Sequence, residues 1–280
     1  MMIHWKQLAK LTDDVLAIYD IAAVNLACTT DLPDAPGPLT IMECLHKLDE
    51  WAKLVRRYTE LAYEEFYLAN PAKYDHSEAL FRSLSLVTAL QRHCGLRYNP
   101  AKIPDHVPLE TADIFIHGAL LGEGGTCTSI PVVLAAVGRR LGYPIKIVET
   151  RTAKWGHLFA RWDDPKGERL NLEATGTGLG THDDNYYRTG RYALAPALEK
   201  ACQFLKSMTP RQELACFLEE RGYQLRQQGC VRLALEAFAW SANLAPNRCH
   251  QHMLGAFGNE WWAEQEKQKT LGFPVIFIAS

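Results

Sequence analysis

The sequence predicts an α+β chain in which helices bracket a short run of antiparallel strands. Apolar residues recur at helical spacing through the first hundred residues and again from about Thr209 onward. Between Ile145 and Thr175 the period shortens to that of strands, interrupted by the turn-rich Asp163-Asp164-Pro165-Lys166-Gly167. With 280 residues, 48% of them hydrophobic, the chain has enough apolar surface for one or two cores.

Taken in order, one helix is expected from Trp5 to Ala27. After the turn-rich 31–38 segment, Thr40 and Glu43 have capping-box spacing and open an amphipathic helix through Leu45, Leu48, Trp51, Ala52, Val55 and Tyr58. Asp75 and Glu78 repeat that spacing before a third helix to about His93, with Gly95 as its stop. Tyr98 to Gly124 reads as irregular. Thr128 to Leu141 reads as a helix, ended by Gly142 and Pro144.

Strands are expected over Ile145–Glu149, Lys154–Trp162 and Arg169–Thr175, followed by a glycine-rich loop from Gly176 to Gly180 and a polar connection through Asp183 and Asp184. Thr209, Pro210 and Gln212 supply an N-cap, a first-turn proline and a capping-box partner. Gly222, Gly229, Ala234, Phe238 and Pro246 then fall at the spacing of one tetratricopeptide helix pair, which needs a neighbour to cover its apolar face.

Composition narrows the function. Thirty basic and 32 acidic residues leave a net charge of −2, without a long block of one sign. Nucleic acid and anionic membrane are therefore unsupported as partners, since both draw on concentrated positive charge. The apolar run from Val15 to Ala27 contains Asp20 and Asn25, so it reads as a buried helix rather than a signal peptide. Eight cysteines (28, 44, 94, 127, 202, 216, 230 and 249) show neither Cys-x-x-Cys pairs nor small-domain disulfide spacing. They are expected to be reduced thiols in a cytoplasmic protein, most of them serving as small buried apolar residues.

Cys127 stands apart. It lies in Gly124-Gly125-Thr126-Cys127-Thr128-Ser129-Ile130-Pro131. Proline fits a helix only in its first turn, so Pro131 places the helix start near Thr128 and Cys127 at its mouth. Unpaired N–H groups and the positive end of the helix dipole both favour thiolate over thiol there. The preceding glycines let backbone approach a substrate closely, and the N–H of Cys127 itself could meet a developing oxyanion.

Hairpin counting supplies partners for the thiol. If Asp164, Pro165 and Lys166 form a three-residue loop, Asp163 pairs with Gly167, Leu158 faces Leu172 and His157 faces Glu173. Opposed residues share a face with Cβ atoms about 4.5–5.5 Å apart, whereas a two-residue loop would put Glu173 on the other face. Cys127 as nucleophile, His157 as base and Glu173 as the group orienting it form the constellation of cysteine-dependent acyl transfer. Each of the three has an ordinary structural role when taken singly; their joint order is what points to catalysis.

Rival constellations are thinner. Gly122 to Ser129 lacks the Gly-Lys-Ser/Thr of a phosphate-cradling loop. Cys94, His117, Cys127, His157, His182, Cys249 and His252 could supply zinc ligands on paper, but no two show metal-finger spacing. No metal or cofactor is expected. His182, with Asp183 and Asp184, reads as solvated turn chemistry.

Leu96-Arg97-Tyr98-Asn99-Pro100, Gly125-Thr126-Cys127, the Pro131-to-Gly142 helix, Gly156-His157, Asn171-Leu172-Glu173 and the Gly222-to-Pro246 repeat together resemble the transglutaminase-like superfamily. Its members share a papain-like core. The resemblance is in particular to bacterial SirB-type proteins, which join such a domain to tetratricopeptide-like helices. It implies that the helix carrying Cys127 packs on an antiparallel sheet, that Cys127 is the nucleophile and His157 its histidine, and that Glu173 stands where many members carry aspartate. SirB-type relatives often lack the cysteine, so the resemblance also admits a non-catalytic interaction module.

The expected organisation is an N-terminal helical segment (1–95), a transglutaminase-like domain (96–205) and a tetratricopeptide-like region (206–280). The expected function is a cysteine hydrolase or acyltransferase of protease or deamidase type, acting on an amide in a peptide or protein through Cys127, His157 and Glu173. The alternative is a regulatory module that binds a protein partner through the C-terminal helices.

Overall fold

Helical spacing in the first hundred residues does produce helices, in more pieces than the period alone indicates. The computed structural model describes residues 3–104, 107–151, 156–165, 167–190, 192–193, 195–246 and 250–270, the last span without the side chains of 251–253 and 264–270. In place of one helix from Trp5 to Ala27 there are three: α1 (Trp5–Leu8), α2 (Asp13–Leu16) and α3 (Ile21–Ala27). Side chains cap two of the three starts. His4 accepts a hydrogen bond from the Lys6 N–H at the start of α1, and Asp20 accepts one from the Ala22 N–H at the start of α3. Asp20, read from sequence as an interruption, is a cap.

Helix α4 (Pro38–Ala62) begins ahead of the Thr40/Glu43 pair, with Gly37 as N-cap and Pro38 in the first turn, where its missing N–H costs nothing. Helix α5 (Glu78–Arg92) is capped by Ser77, whose hydroxyl accepts from the Leu80 N–H; Asp75, the expected cap, is left-handed instead (φ 53°). The stretch read as irregular contains two short helices, α6 (Thr111–Ile114) and α7 (Ile116–Leu121).

Helix α8 (Ile130–Arg140) is the centre of the molecule. All nine residues from Ile130 to Gly138 are buried, as expected of an apolar helix enclosed on every side. It packs on strands β1 (Ile145–Arg151) and β2 (Gly156–Asp163), with α3, α4, α5 and α7 around it. Gly138 permits the close approach to the sheet, since a Cβ there would lie 2.3 Å from Ile145 Cδ1.

Strand β3 (Arg169–Leu172) completes a three-stranded antiparallel sheet in the order β1-β2-β3. Lys154, expected to open the second strand, and Lys166, expected in the following turn, lie outside the described residues. The open edge of β1 is covered by a later segment, with the Leu205 and Met208 N–H groups donating to the carbonyls of Glu149 and Ile147 (both 2.9 Å).

The register of β2 and β3 differs from the counted one. Asp163 pairs with Arg169 and Ala160 with Leu172, so the loop closes later, with the Asp164 N–H bonded to the Glu168 carbonyl (2.9 Å). The offset from the predicted Asp163–Gly167 pairing is two residues. Because the side-chain period is two, every residue keeps its predicted face.

Beyond the sheet come α9 (Asp184–Thr189), α10 (Pro196–Cys202), α11 (Pro210–Gln227), α12 (Val231–Leu244) and α13 (His250–Thr270). The Thr209/Gln212 capping box forms as expected. Helices α11 and α12 make a tight pair, since a Cβ on Gly222 would fall 2.6 Å from the Phe238 ring. Gly229 turns the chain between them at φ +75°. One continuous apolar cluster runs from Trp5 through α8 and the sheet to Phe257, so the three expected segments share a core.

Cysteines 28, 44, 94, 127, 216 and 230 are free thiols, but Cys202 is disulfide-bonded, a departure from the expectation of reduced thiols throughout. Cys249 lies outside the described residues. No described helix is long and apolar enough to cross a membrane.

Candidate active site

The approach to Cys127 is built from hydrogen bonds that its small neighbours make possible. Gly125 lies alongside Tyr98 in a parallel bridge: its N–H donates to the Arg97 carbonyl (2.9 Å), and its carbonyl accepts from the Asn99 N–H (2.8 Å). A Cβ on Gly125 would come within 2.8 Å of Ser129 Oγ and 2.9 Å of Ala119 Cβ. Only glycine fits there.

Thr126 then opens the helix. Its N–H donates to Ser129 Oγ (2.9 Å), and its own Oγ1 takes a longer bond from the Thr128 N–H (3.3 Å). The Ile130 N–H reaches back to the Thr126 carbonyl (3.0 Å), so the helical turn extends over 127–129 ahead of the regular span. Cys127 sits in this first turn and is partly exposed, and its N–H has no hydrogen-bond partner among the described residues.

The backbone of a buried residue, Asp113, braces the turn. The Asp113 carbonyl accepts from the hydroxyls of both Thr126 (2.8 Å) and Ser129 (2.9 Å). Its side chain in turn accepts from Asn99 Nδ2 (3.0 Å) and pairs with Lys102 Nζ (3.0 Å).

His157 is the second residue of β2 and is almost fully buried. Its Nε2–H donates to Glu173 Oε2 at 2.6 Å. Burial alone would push the imidazolium down. Hydrogen bonds with Cys127 and Glu173, together with the Glu173 charge, outweigh it and lift His157 to about 9.

Glu173 responds in the opposite sense. Burial raises it, but the His157 bond and charge and the bonds from Thr175 hold it below the usual carboxylate range. Thr175 supplies both its hydroxyl (2.7 Å) and its N–H (3.3 Å) to Glu173 Oε1. The Tyr187 hydroxyl adds a long contact (3.5 Å) to Oε2. Both carboxylate oxygens are therefore held, and the negative charge is fixed beside the imidazole.

Aromatic rings enclose the pair. Tyr192 stacks on the His157 ring with centroids 4.6 Å apart and planes 17° apart. Tyr187, fully buried, stacks on Phe159 at 4.3 Å. Tyr187 rides on α9, and α9 is anchored by Arg161, whose side chain has no exposure. Arg161 Nε donates to Asn171 Oδ1 (2.6 Å), Nη1 to the Leu205 carbonyl (2.8 Å), and Nη2 pairs with Asp184. Burial pulls the Arg161 guanidinium down to about 10, partly countered by the Asp184 charge.

The structure thus brings Cys127, His157 and Glu173 together. His182 stays outside this group, exposed and stacked on Tyr186 at 4.0 Å. Among the described residues, no three His, Cys, Asp or Glu side chains converge on a possible metal position; Cys249 and the side chain of His252 lie outside that set. Sequence reasoning missed Thr175, Tyr187, Tyr192 and Arg161. Thr175 was within reach, two residues from Glu173 on the expected strand. For the others, neither spacing nor motif marks the contact.

Compared with known proteins, the chain matches no family model, no curated protein and no solved structure.

Proposed function

We propose that this protein is a cysteine-dependent hydrolase or acyltransferase of transglutaminase-like type, acting on an amide in a peptide or protein. The observation that carries the reading is the 2.6 Å bond from His157 Nε2 to Glu173 Oε2, on an imidazole that the Cys127 thiol also helps to raise above its ordinary range.

In the first half-reaction the sulfur bonds to the amide carbon with the thiol proton already held on His157, as its raised value favours. The carbonyl oxygen gains negative charge beside the Cys127 N–H. As the C–N bond breaks, His157 returns the proton to the departing nitrogen, leaving a thioester on Cys127. In the second half, water or an amine loses a proton to His157 and bonds to the carbonyl carbon. The C–S bond then breaks, leaving the sulfur beside the protonated His157. Glu173 keeps the imidazole in the orientation both transfers need.

The burial of α8 against an antiparallel sheet supports a papain-like core, and the Gly222–Phe238 approach supports a tetratricopeptide-like pair in α11 and α12. A cytoplasmic setting belongs to the same reading, in which Cys127 works as a reduced thiol.

The test is alkylation by iodoacetamide at graded pH, read thiol by thiol by peptide mass spectrometry, followed by intact-mass trapping of an acyl-enzyme from a peptide library. Cys127 is expected to react fastest, to lose its advantage in His157→Ala, and to carry the trapped mass. If Cys127 reacts no faster than the other thiols and His157→Ala changes nothing, the reading fails.

A further inference from the structure

The segment after Glu173 is held by a residue from a distant helix. Gln91, near the end of α5, spends its whole amide on this loop. Its Nε2 donates to the carbonyls of Ala174 (3.2 Å) and Gly176 (2.9 Å), and its Oε1 accepts from the Gly178 N–H (2.7 Å). The loop is closed at its base by the Glu173–Gly180 bridge, with both N–H groups donating across it (2.9 and 2.8 Å). Gly178 takes φ +80° at the turn.

The two carbonyls gripped by Gln91 flank Thr175, and Thr175 is the residue that holds Glu173 Oε1 through its hydroxyl and N–H. A connected chain of contacts therefore runs from Gln91 through the loop to Thr175, then to Glu173 and His157.

We infer that Gln91 is a positioning residue for the His157–Glu173 pair, acting through Thr175 and not by touching the reacting atoms. The inference rests on the Cys127–His157–Glu173 reading. A loop joined to its strand by one bridge has many conformations of similar energy. Three hydrogen bonds from one side chain select the conformation that points the Thr175 donors at the carboxylate. Without them Glu173 spends less time on Nε2, and the imidazolium loses part of what keeps it above its ordinary range.

The test is direct titration of His157 by NMR of ring-labelled protein, in the parent, Gln91→Leu, Thr175→Val and the double variant, with thermal melting alongside. In the parent a midpoint near the raised value of about 9 is expected. Gln91→Leu is expected to lower it by about one pH unit, a tenfold change in the protonation equilibrium. The double variant should fall no further than the larger single effect, because both substitutions break one chain of contacts. Gln91→Glu keeps the length and the acceptor while losing both donations. It should lower the midpoint as well, and it stands in for Gln91→Leu if that variant does not fold.

A raised parent midpoint that is unmoved in Gln91→Leu and Gln91→Glu, with melting lowered or not, overturns this inference and leaves the triad reading standing. Additive shifts in the double variant overturn the route through Thr175. A parent midpoint near the ordinary histidine value removes the triad reading and this inference together.

Discussion

Glu173 does not stand directly across from His157; it lies one diagonal step along the sheet, and its Oε2 still meets His157 Nε2 at 2.6 Å. In the β2–β3 register Ala160 pairs with Leu172, so by continuation the residue facing Glu173 is Phe159, two positions beyond His157. Diagonal neighbours on one face are farther apart than opposed ones but within reach of longer side chains. Glutamate has that length.

Shortening the carboxylate should therefore be costly. Glu173→Asp is expected to reach either Thr175 or His157 but not both, and Glu173→Gln removes the charge that stabilises the imidazolium. Acylation rates should fall by about 10²-fold or more in Glu173→Gln and by less in Glu173→Asp, measured by single-turnover kinetics on whichever acyl donor the library yields. Equal rates in all three proteins would exclude an orienting role.

The pair also sets a pH dependence of stability. A folded-state value for His157 of about 9 lies above its ordinary 6.5, so its contribution is complete below about pH 6.5 and is lost as pH rises through 9. Glu173, held below its ordinary range, contributes above about pH 4.5 and loses that contribution as pH falls through its folded value. Unfolding free energies from urea titrations should therefore plateau between these limits and decline on the alkaline side, by at most a few kcal/mol at full loss. In His157→Gln the alkaline decline should flatten.

Thiol reactivity should follow burial. Burial pushes the Cys28 thiol up to about 12, Cys44 and Cys94 to about 11, and Cys216 well above the ordinary range. Cys28, Cys44 and Cys216, all buried, are expected to label only on unfolding, whereas the partly exposed Cys127 labels in the native state. Native-state labelling of Cys28 or Cys216 at the rate of Cys127 would contradict the packing described.

Arg161 and Asp184 should respond asymmetrically. Asp184→Ala strands a guanidinium with no exposure and should cost about 3–5 kcal/mol. Arg161→Met leaves Asp184 with its side chain 22% exposed, so solvent can serve the carboxylate and the cost should be smaller. Chemical denaturation of both variants checks the ordering.

Two glycines should fail as alanine for reasons of space. Gly222→Ala drives a methyl into the Phe238 ring at 2.6 Å and should destabilise by about 1–3 kcal/mol. Gly125→Ala meets Ser129 Oγ and Ala119, which should displace the Cys127 turn and lower its alkylation rate as well as its melting temperature.

What could be read from the sequence was local chain geometry. Thr209 and Gln212 cap α11 because a capping box closes within three residues, and Pro131 fixes the mouth of α8 because proline tolerates only a first turn. The shared face of His157 and Glu173 was also legible, since strand parity survives a two-residue error in register. The division of the first helix was harder, because Asp20 serves as a break or a cap according to where the chain turns next.

Tertiary packing decided the rest. That Glu173 reaches a diagonal rather than an opposed histidine depends on where the β2–β3 loop closed. That both its oxygens are held depends on Thr175 and Tyr187, and, through the loop, on Gln91 from a helix more than eighty residues earlier. Capping and parity follow from bond geometry over a few residues, which the sequence states directly. Contacts between distant segments form only when α5, α8 and α9 have buried their apolar faces around the sheet, and no spacing along the chain records which side chains that burial will bring together.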